Sequence, residues 1–372
     1  MMKRPASCLE PEAQISRGPS PAPGSGRAAF VSYSGLVWTV AFPAGKTADD
    51  SVADQTRKAL KELDSRLAKA GTDKSHVLEA TVFVKDMAMK DEMDSVWREW
   101  VPENCGISRA CVAADLAPGD LVEMKITAVQ PEAQISRGPS PAPGSGRAAF
   151  VSCSGLVWTV AFPAGKTADD SVADQTRKAL KELDSRLAKA GTDKSHVLEA
   201  TVFVKDMAMK DEMDSVWREW VPENCGISRA CVAADLAPGD LVEMKITAVQ
   251  PEAQISRGPS PAPGSGRAAF VSCSGLVWTV AFPAGKTADD SVADQTRKAL
   301  KELDSRLAKA GTDKSHVLEA TVFVKDMAMK DEMDSVWREW VPENCGISRA
   351  CVAADLAPGD LVEMKITSAM LR

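Results

Sequence analysis

The chain of 372 residues has one tyrosine, three histidines and no basic excess, its 45 Lys and Arg standing against 52 Asp and Glu for a net charge of -7. Basic residues are interleaved with acids, so no cationic patch emerges, and a dedicated nucleic-acid binder is excluded. No apolar run approaches the ~18 residues of a membrane-spanning helix, which excludes a membrane partner of that kind. The start, Met1-Met2-Lys3-Arg4-Pro5, has a basic dipeptide with no apolar core behind it, so no secretory signal is expected. Cysteine is sparse and odd in number, nine in a long chain. That is no disulfide framework, and reduced thiols in the cytoplasm are expected. What remains, 44% hydrophobic and 26% charged residues, is ordinary globular composition.

The chain writes one unit three times. Pro11 to Thr127 recurs as Pro131 to Thr247 and Pro251 to Thr367, a period of 120 residues. Across 117 positions one differs: Tyr33 is Cys153 and Cys273 in the later copies. Solenoid repeats run ~20–50 residues, so this period marks whole small domains, expected at 11–128, 131–248 and 251–368. Each opens on a Pro/Gly/Ser-rich stretch such as Gln130 to Gly146. Its composition reads as a linker able to reach ~55 Å when extended.

Within a unit, Phe30-Val31-Ser32 and Leu36 to Phe42 read as a hairpin. Ser51 to Ala70 is the clearest helix. Ser51 and Asp54 form a capping box, Val52, Thr56, Ala59, Leu60, Leu63 and Leu67 share one face, and Gly71 ends it. Lys58, Lys61, Glu62 and Arg66 are expected on a solvated face. Val77 to Val84 is a strand, with Leu78, Ala80, Val82 and Val84 on one side. Met89, Met93, Val96, Trp97 and Trp100 mark a second helix, stopped by Pro102, whose Met/Trp stripe is core rather than a cofactor box. Ile107 to Ala114 and Leu121 to Thr127 are the last strands. The order β-β-α-β-α-β-β implies an α+β unit with helices on one face of a mixed sheet.

Alternation places Ser108, Ala110, Val112 and Ala114 with Val122, Met124 and Ile126 under the helices. It places Ile107, Arg109, Cys111 and Ala113 with Leu121, Glu123, Lys125 and Thr127 on the other face. No helix remains to cover that second face, which also carries Phe83. Three units turning these faces together around a central barrel would bury it and leave clefts between neighbours. Arg109 is the expected fixed cation of such a cleft, since its planar fork binds carboxylates and stays charged.

Gln55-Thr56 through Leu63-Asp64, Leu67 to Gly71, Ala80 to Met87, Ser108 to Val112, Ala117-Pro118 and Leu121 to Met124 together resemble the Rid family, the reactive intermediate deaminases also called YjgF-type. Val96 to Pro102, with its tryptophans, resembles a divergent branch. The resemblance covers about residues 30–128 of each unit. It implies a chorismate-mutase-like fold and a trimer with ligand clefts between subunits, here a single-chain pseudo-trimer and therefore a monomeric chain. It further implies cofactor-free hydrolysis of enamine or imine intermediates such as 2-aminoacrylate, with no metal. By position, Arg109, Arg229 and Arg349 would hold the substrate carboxylate. Glu123, Glu243 and Glu363 would orient water or the imine nitrogen. Cys111, Cys231 and Cys351 would line the cleft, beside Asp94, Asp214 and Asp334, which stand where the family often has asparagine.

The chain departs from the family pattern at Ile107-Ser108, at Asp94, around Val40-Ala41-Phe42, and in lacking the N-terminal tyrosine; Tyr33 aligns poorly with it. These departures keep open an alternative, a non-catalytic small-carboxylate-binding or protein-interaction module. The purely structural alternative for Arg109, less favoured than the ligand role, is an interface ion pair with Glu123. Cys111 has no histidine beside it in sequence to make it a nucleophile. Cys105, Cys225 and Cys345 read as loop thiols. His76, His196 and His316 stand alone in each unit, without companions for a metal.

Overall fold

Residues 14–22, 24–142 and 144–371 are described by the computed structural model; the basic start and the first residues of the 11–128 unit lie outside them. In unit 1 the elements are β1 (Ser16–Arg17), β2 (Phe30–Tyr33), β3 (Leu36–Ala41), α1 (Val52–Lys69), β4 (Val77–Val84), α2 (Lys90–Trp100), β5 (Ser108–Ala113) and β6 (Val122–Val129). Units 2 and 3 repeat them. Each unit is one six-stranded sheet in the order β1-β2-β3-β6-β4-β5. Only β4 and β5 run parallel, and α2 provides the crossover that parallel neighbours require.

The local signals explain the helices. Ser51 Oγ accepts from the Asp54 amide at 3.1 Å while the Ser51 amide donates to Asp54 at 3.2 Å, closing the capping box. Gly71, at φ +80°, takes the left-handed turn after the last helical residues. The apolar faces of α1 and α2 bury Leu60, Leu63, Leu67, Met93 and Trp97 against Ala80, Val82, Met124 and Ile126. Arg66 corrects the expectation of a solvated face. It is buried, its Nη1 donates to the Val40 carbonyl at the end of β3, and its guanidinium lies 5.2 Å from the Phe42 ring centre. Its methylenes cover apolar surface while its donors satisfy a carbonyl and Glu62.

The strand faces hold on β6 and on β4 from Ala80 to Val84, and fail on β5 and at the start of β4. Val122, Met124 and Ile126 do lie under the helices, but so do Ile107, Cys111 and Ala113, whereas Ala110 and Val112 face the other units. The cause is register: β5 pairs in parallel with β4, Ala80 beside Arg109 and Val82 beside Cys111, so those residues share the helix-side face. All six residues of β5 are buried, so polarity could not distinguish its two sides. On β4 a bulge between Val77 and Glu79 sends Val77 under the helices and Leu78 toward the other units.

The helix-free faces of the three sheets pack on one another. Leu36, Trp38 and Leu78 join their counterparts from both other units in one apolar cluster, and Val40, Phe83, Ala110, Val112 and Leu116 do so in a second. Tyr33, Cys153 and Cys273 all belong to the first cluster. Beside these clusters Lys125 pairs with Glu319, Lys245 with Glu79 and Lys365 with Glu199, around a cavity of about 20 Å³. Every pair joins two units, and the three pairs close a cycle. Each glutamate also accepts from a threonine of its own unit, Thr127 to Glu79 at 2.7 Å. Burial acts to raise Glu79, and the two lysines outweigh it, holding the carboxyl below its usual range.

Breaking one pair leaves a buried charge without its partner. Lys125→Met is expected to cost about 3–5 kcal/mol, while Lys125→Met with Glu319→Gln should recover much of that loss. Urea unfolding of the two single variants and the double variant checks this, and simple additivity would contradict it.

Candidate functional site

The clefts form at the β5 edges. An exposed edge would leave strand amides unpaired, and here the neighbouring unit covers it. The Ile107 amide donates to the Gly146 carbonyl at 3.1 Å, the Ala148 amide to Ile107 at 3.0 Å, and the Ala113 amide to Asp235 at 2.9 Å. The Pro/Gly/Ser-rich segment is therefore no free linker. It contains a strand, Ile135–Arg137, and then a strap along the previous unit. Arg137 anchors it by donating to the carbonyls of Val77, Gly106 and Ser75. Gly106 permits the close approach, because a Cβ there would meet the Arg147 backbone at 2.9 Å.

This strap carries Arg147 into the cleft, a cavity of about 180 Å³. Unit 1 contributes Lys90, Arg109 and Cys111 to its walls; unit 2 contributes Arg147, Phe162 and Glu243 among others. The glutamate that faces Arg109 is thus Glu243 of the next unit and not Glu123. By the same rotation Arg229 and Cys231 meet Glu363, and Arg349 and Cys351 meet Glu123.

Asp94 and Trp97 fix Arg109, and Lys90 fixes Asp94 in turn. The Arg109 Nη2 donates to Asp94 at 2.5 Å, its guanidinium lies 4.9 Å from the Trp97 ring centre, and Lys90 meets the other Asp94 oxygen at 2.5 Å. Asp214 and Asp334 hold Arg229 and Arg349 in the same way. The Met/Trp stripe is core, as its sequence implies, and it is also the platform for the arginine. Burial acts to raise the Asp94 carboxyl, but Arg109 and Lys90 together bring it below its usual value. Asp94 is therefore an anion that orients Arg109. Among the described residues the Arg109 Nε has no hydrogen-bond partner, and the same holds for Arg229 and Arg349.

Glu243 and Cys111 have altered proton affinities. Burial first, and then the nearby Asp240, push the Glu243 carboxyl up to about 7 against the opposing pull of Arg147, Arg109 and Lys90. Its Oε1 has no hydrogen-bond partner among the described residues. Burial pushes the Cys111 thiol up to about 12 despite Arg109, so it is a neutral S–H at physiological pH rather than a nucleophilic thiolate. His76 is occupied with Asp73 at 3.0 Å, and among the described residues no three potential ligands cluster as a metal site. Sequence reasoning missed Lys90 and Arg147. The available signal for Arg147 was its position as the one charged residue between Gly138 and Phe150, in a stretch otherwise of small residues, proline and glycine.

The model of the family described as Endoribonuclease L-PSP matches residues 25–130, 145–250 and 265–370. The chain belongs to that family. A RutC family protein of Haemophilus ducreyi is 43% identical over 95 residues, 24% of this chain and 81% of that one. The structure of NMB1025, a YjgF family member from Neisseria meningitidis, is 34% identical over 32% of this chain and 97% of its own, at a TM-score of 0.29. A chorismatase structure covers 90% of this chain and 98% of its own at 11% identity and a TM-score of 0.59, which shows a shared fold. The Rid resemblance and the three tandem α+β copies therefore stand.

A carboxyl with a raised folded-state pKa destabilises the fold as pH rises from its unfolded value to its folded one, because the folded state holds the proton longer. For Glu123, Glu243 and Glu363 that window runs from 4.5 to about 7. Replacing all three by Gln should raise the melting temperature, with a gain that grows across this window and levels off above it. Calorimetric scans from pH 4 to 8 check this, and a gain independent of pH would contradict it.

Proposed function

We propose that the chain is a cofactor-free hydrolase that converts reactive 2-imino acids, including the tautomer of 2-aminoacrylate, to 2-oxo acids and ammonia. The observation that carries this reading is the meeting of a fixed, partly unpaired arginine and a glutamate of raised proton affinity across a buried cleft. Single-chain pseudo-trimer architecture supplies both halves of each cleft. Free thiols among the described residues support a cytoplasmic location.

The substrate carboxylate would accept from Arg109, placing C2 and its imine nitrogen toward Glu243. Water then adds to C2 of the protonated imine while one water proton passes to the Glu243 carboxylate, giving a neutral carbinolamine. Glu243 returns that proton to the amino nitrogen. As the C–N bond breaks its electron pair stays on nitrogen, the hydroxyl O–H pair closes the new C=O bond, and the hydroxyl proton passes to the freed Glu243 carboxylate and on to the departing ammonia. A group near neutrality can serve in both directions, and holding water and imine together supplies much of the rate. The neutral Cys111 thiol would pack against the substrate without attacking it. A second reading, a carboxylate binder without turnover, is favoured by Asp94, which already occupies one edge of Arg109.

Release of ammonia and pyruvate from 2-aminoacrylate generated in situ by an eliminating pyridoxal-phosphate enzyme tests the proposal. Arg109→Ala with Arg229→Ala and Arg349→Ala should lower the rate above background about 100-fold or more. The corresponding Lys variants control for folding. Equal rates for the wild type and the Ala variant would overturn the enzyme reading, and binding without turnover would establish the second one.

A further inference from the structure

Arg147 stands where the cleft opens outward. It lines the 180 Å³ cleft with Arg109 and Glu243, and also a groove of about 730 Å³ with Arg98 and Arg137. The Arg137 guanidinium is spent on three carbonyls. The Arg147 Nε is buried without a partner, and the same nitrogen is unpaired in Arg27 and Arg267 at the other two seams. Each seam thus holds two guanidiniums with unsatisfied N–H groups, one from each unit. A buried donor without an acceptor is costly, and an anionic oxygen is the acceptor it suits best.

Charge counting points the same way. Lys90, Arg109 and Arg147 face Asp94 and Glu243, the Asp240 carboxylate of the same wall is matched by Lys166 at 2.6 Å, and Glu243 is only partly ionised near neutrality. One substrate carboxylate leaves positive charge in the cleft whenever Glu243 holds its proton. A second acidic group would remove that excess. The cleft is roughly ten times what a single water needs, so it has room for more than the smallest imino acid.

We propose that Arg27, Arg147 and Arg267 are specificity residues that bind a second carboxylate, so that each cleft prefers 2-imino and 2-oxo acids carrying an acidic side chain over monocarboxylates. The substrate would lie with its 2-imino carboxylate on Arg109 and its side-chain carboxylate toward the mouth at Arg147. This rests on the deaminase reading for the imines but not for the binding of the stable 2-oxo acids. Burial and the nearby Arg109 both disfavour the charged form of Arg147, so a second anion is electrostatically welcome there.

Calorimetric titration with 2-oxoglutarate and with the monocarboxylate 2-oxopentanoate reads the preference directly. The wild type should bind the diacid at least about 10-fold tighter, and R27M/R147M/R267M should bring the ratio to within about two-fold. R147M alone alters one seam and should reduce the stoichiometry of tight diacid binding from three to two, which keeps the test usable if the triple variant misfolds. Equal affinities in the wild type, or a ratio that the triple variant leaves in place, would overturn the proposal. Hydrolysis of the imines of glutamate and norvaline, made by amino-acid oxidases, separates the two ideas. Diacid preference in binding without turnover retains this proposal and rejects the deaminase. Turnover of both imines at equal kcat/KM rejects this proposal and retains the deaminase.

Discussion

The helix-free face of each sheet carries both a lysine and a glutamate, and each of these charges makes its close ion pair with another unit. Lys125, Lys245 and Lys365 each reach a glutamate of a different unit, and the three pairs close only when all three sheets turn inward together. Buried ion pairs add little net stability beside apolar packing, but leaving one partner alone is expensive. Their effect here is to fix which faces meet and in what rotation. The apolar clusters around Trp38 and Phe83 supply the burial that holds the faces together.

That rotation determines the chemistry. It brings each β5 edge to the next unit, where the strap from Gly146 to Ala148 completes its hydrogen bonds. Arg109 and Glu243 then face one another although they lie on different units of the repeat. Asp94, Lys90 and Trp97 hold the arginine with little freedom, and burial keeps the glutamate near neutrality and the cysteine protonated. In the proposed reaction these would be the anion anchor, the reversible proton acceptor and a wall that does not react.

Where the chemistry of a residue was local, its structure was readable from sequence. The Ser51 capping box, the α1 stripe, the span of β4 and the Met/Trp core of α2 all follow from spacing within a few residues. Where a face depended on pairing, alternation failed. β5 is buried on both sides, and the bulge after Val77 puts Val77 and Leu78 each on the side opposite to the one alternation gives, without any polar mark. Arg66 was misread because an arginine on an apparently wet face can still reach a buried carbonyl. The strap was hidden by its composition: proline and glycine signal extended chain, and they do not say whether that chain is free or bound along a neighbour. Arg109 could be assigned to a cleft, while its true glutamate, one repeat further on, required the assembly.

The repeat itself bears on how the assembly is made. Identical faces on three linked units can close within one chain or exchange between chains, and the charge cycle is satisfied in either case. The strap favours closure within the chain, since the segments that leave units 1 and 2 cover those units' own cleft edges on the way to the next, while Gly26 to Ala28 of unit 1 covers the edge of unit 3 at Ile347. Sedimentation equilibrium at nanomolar concentration tests this most directly. The account requires a single species of 39.6 kDa, and a particle at two or three times that mass would contradict it.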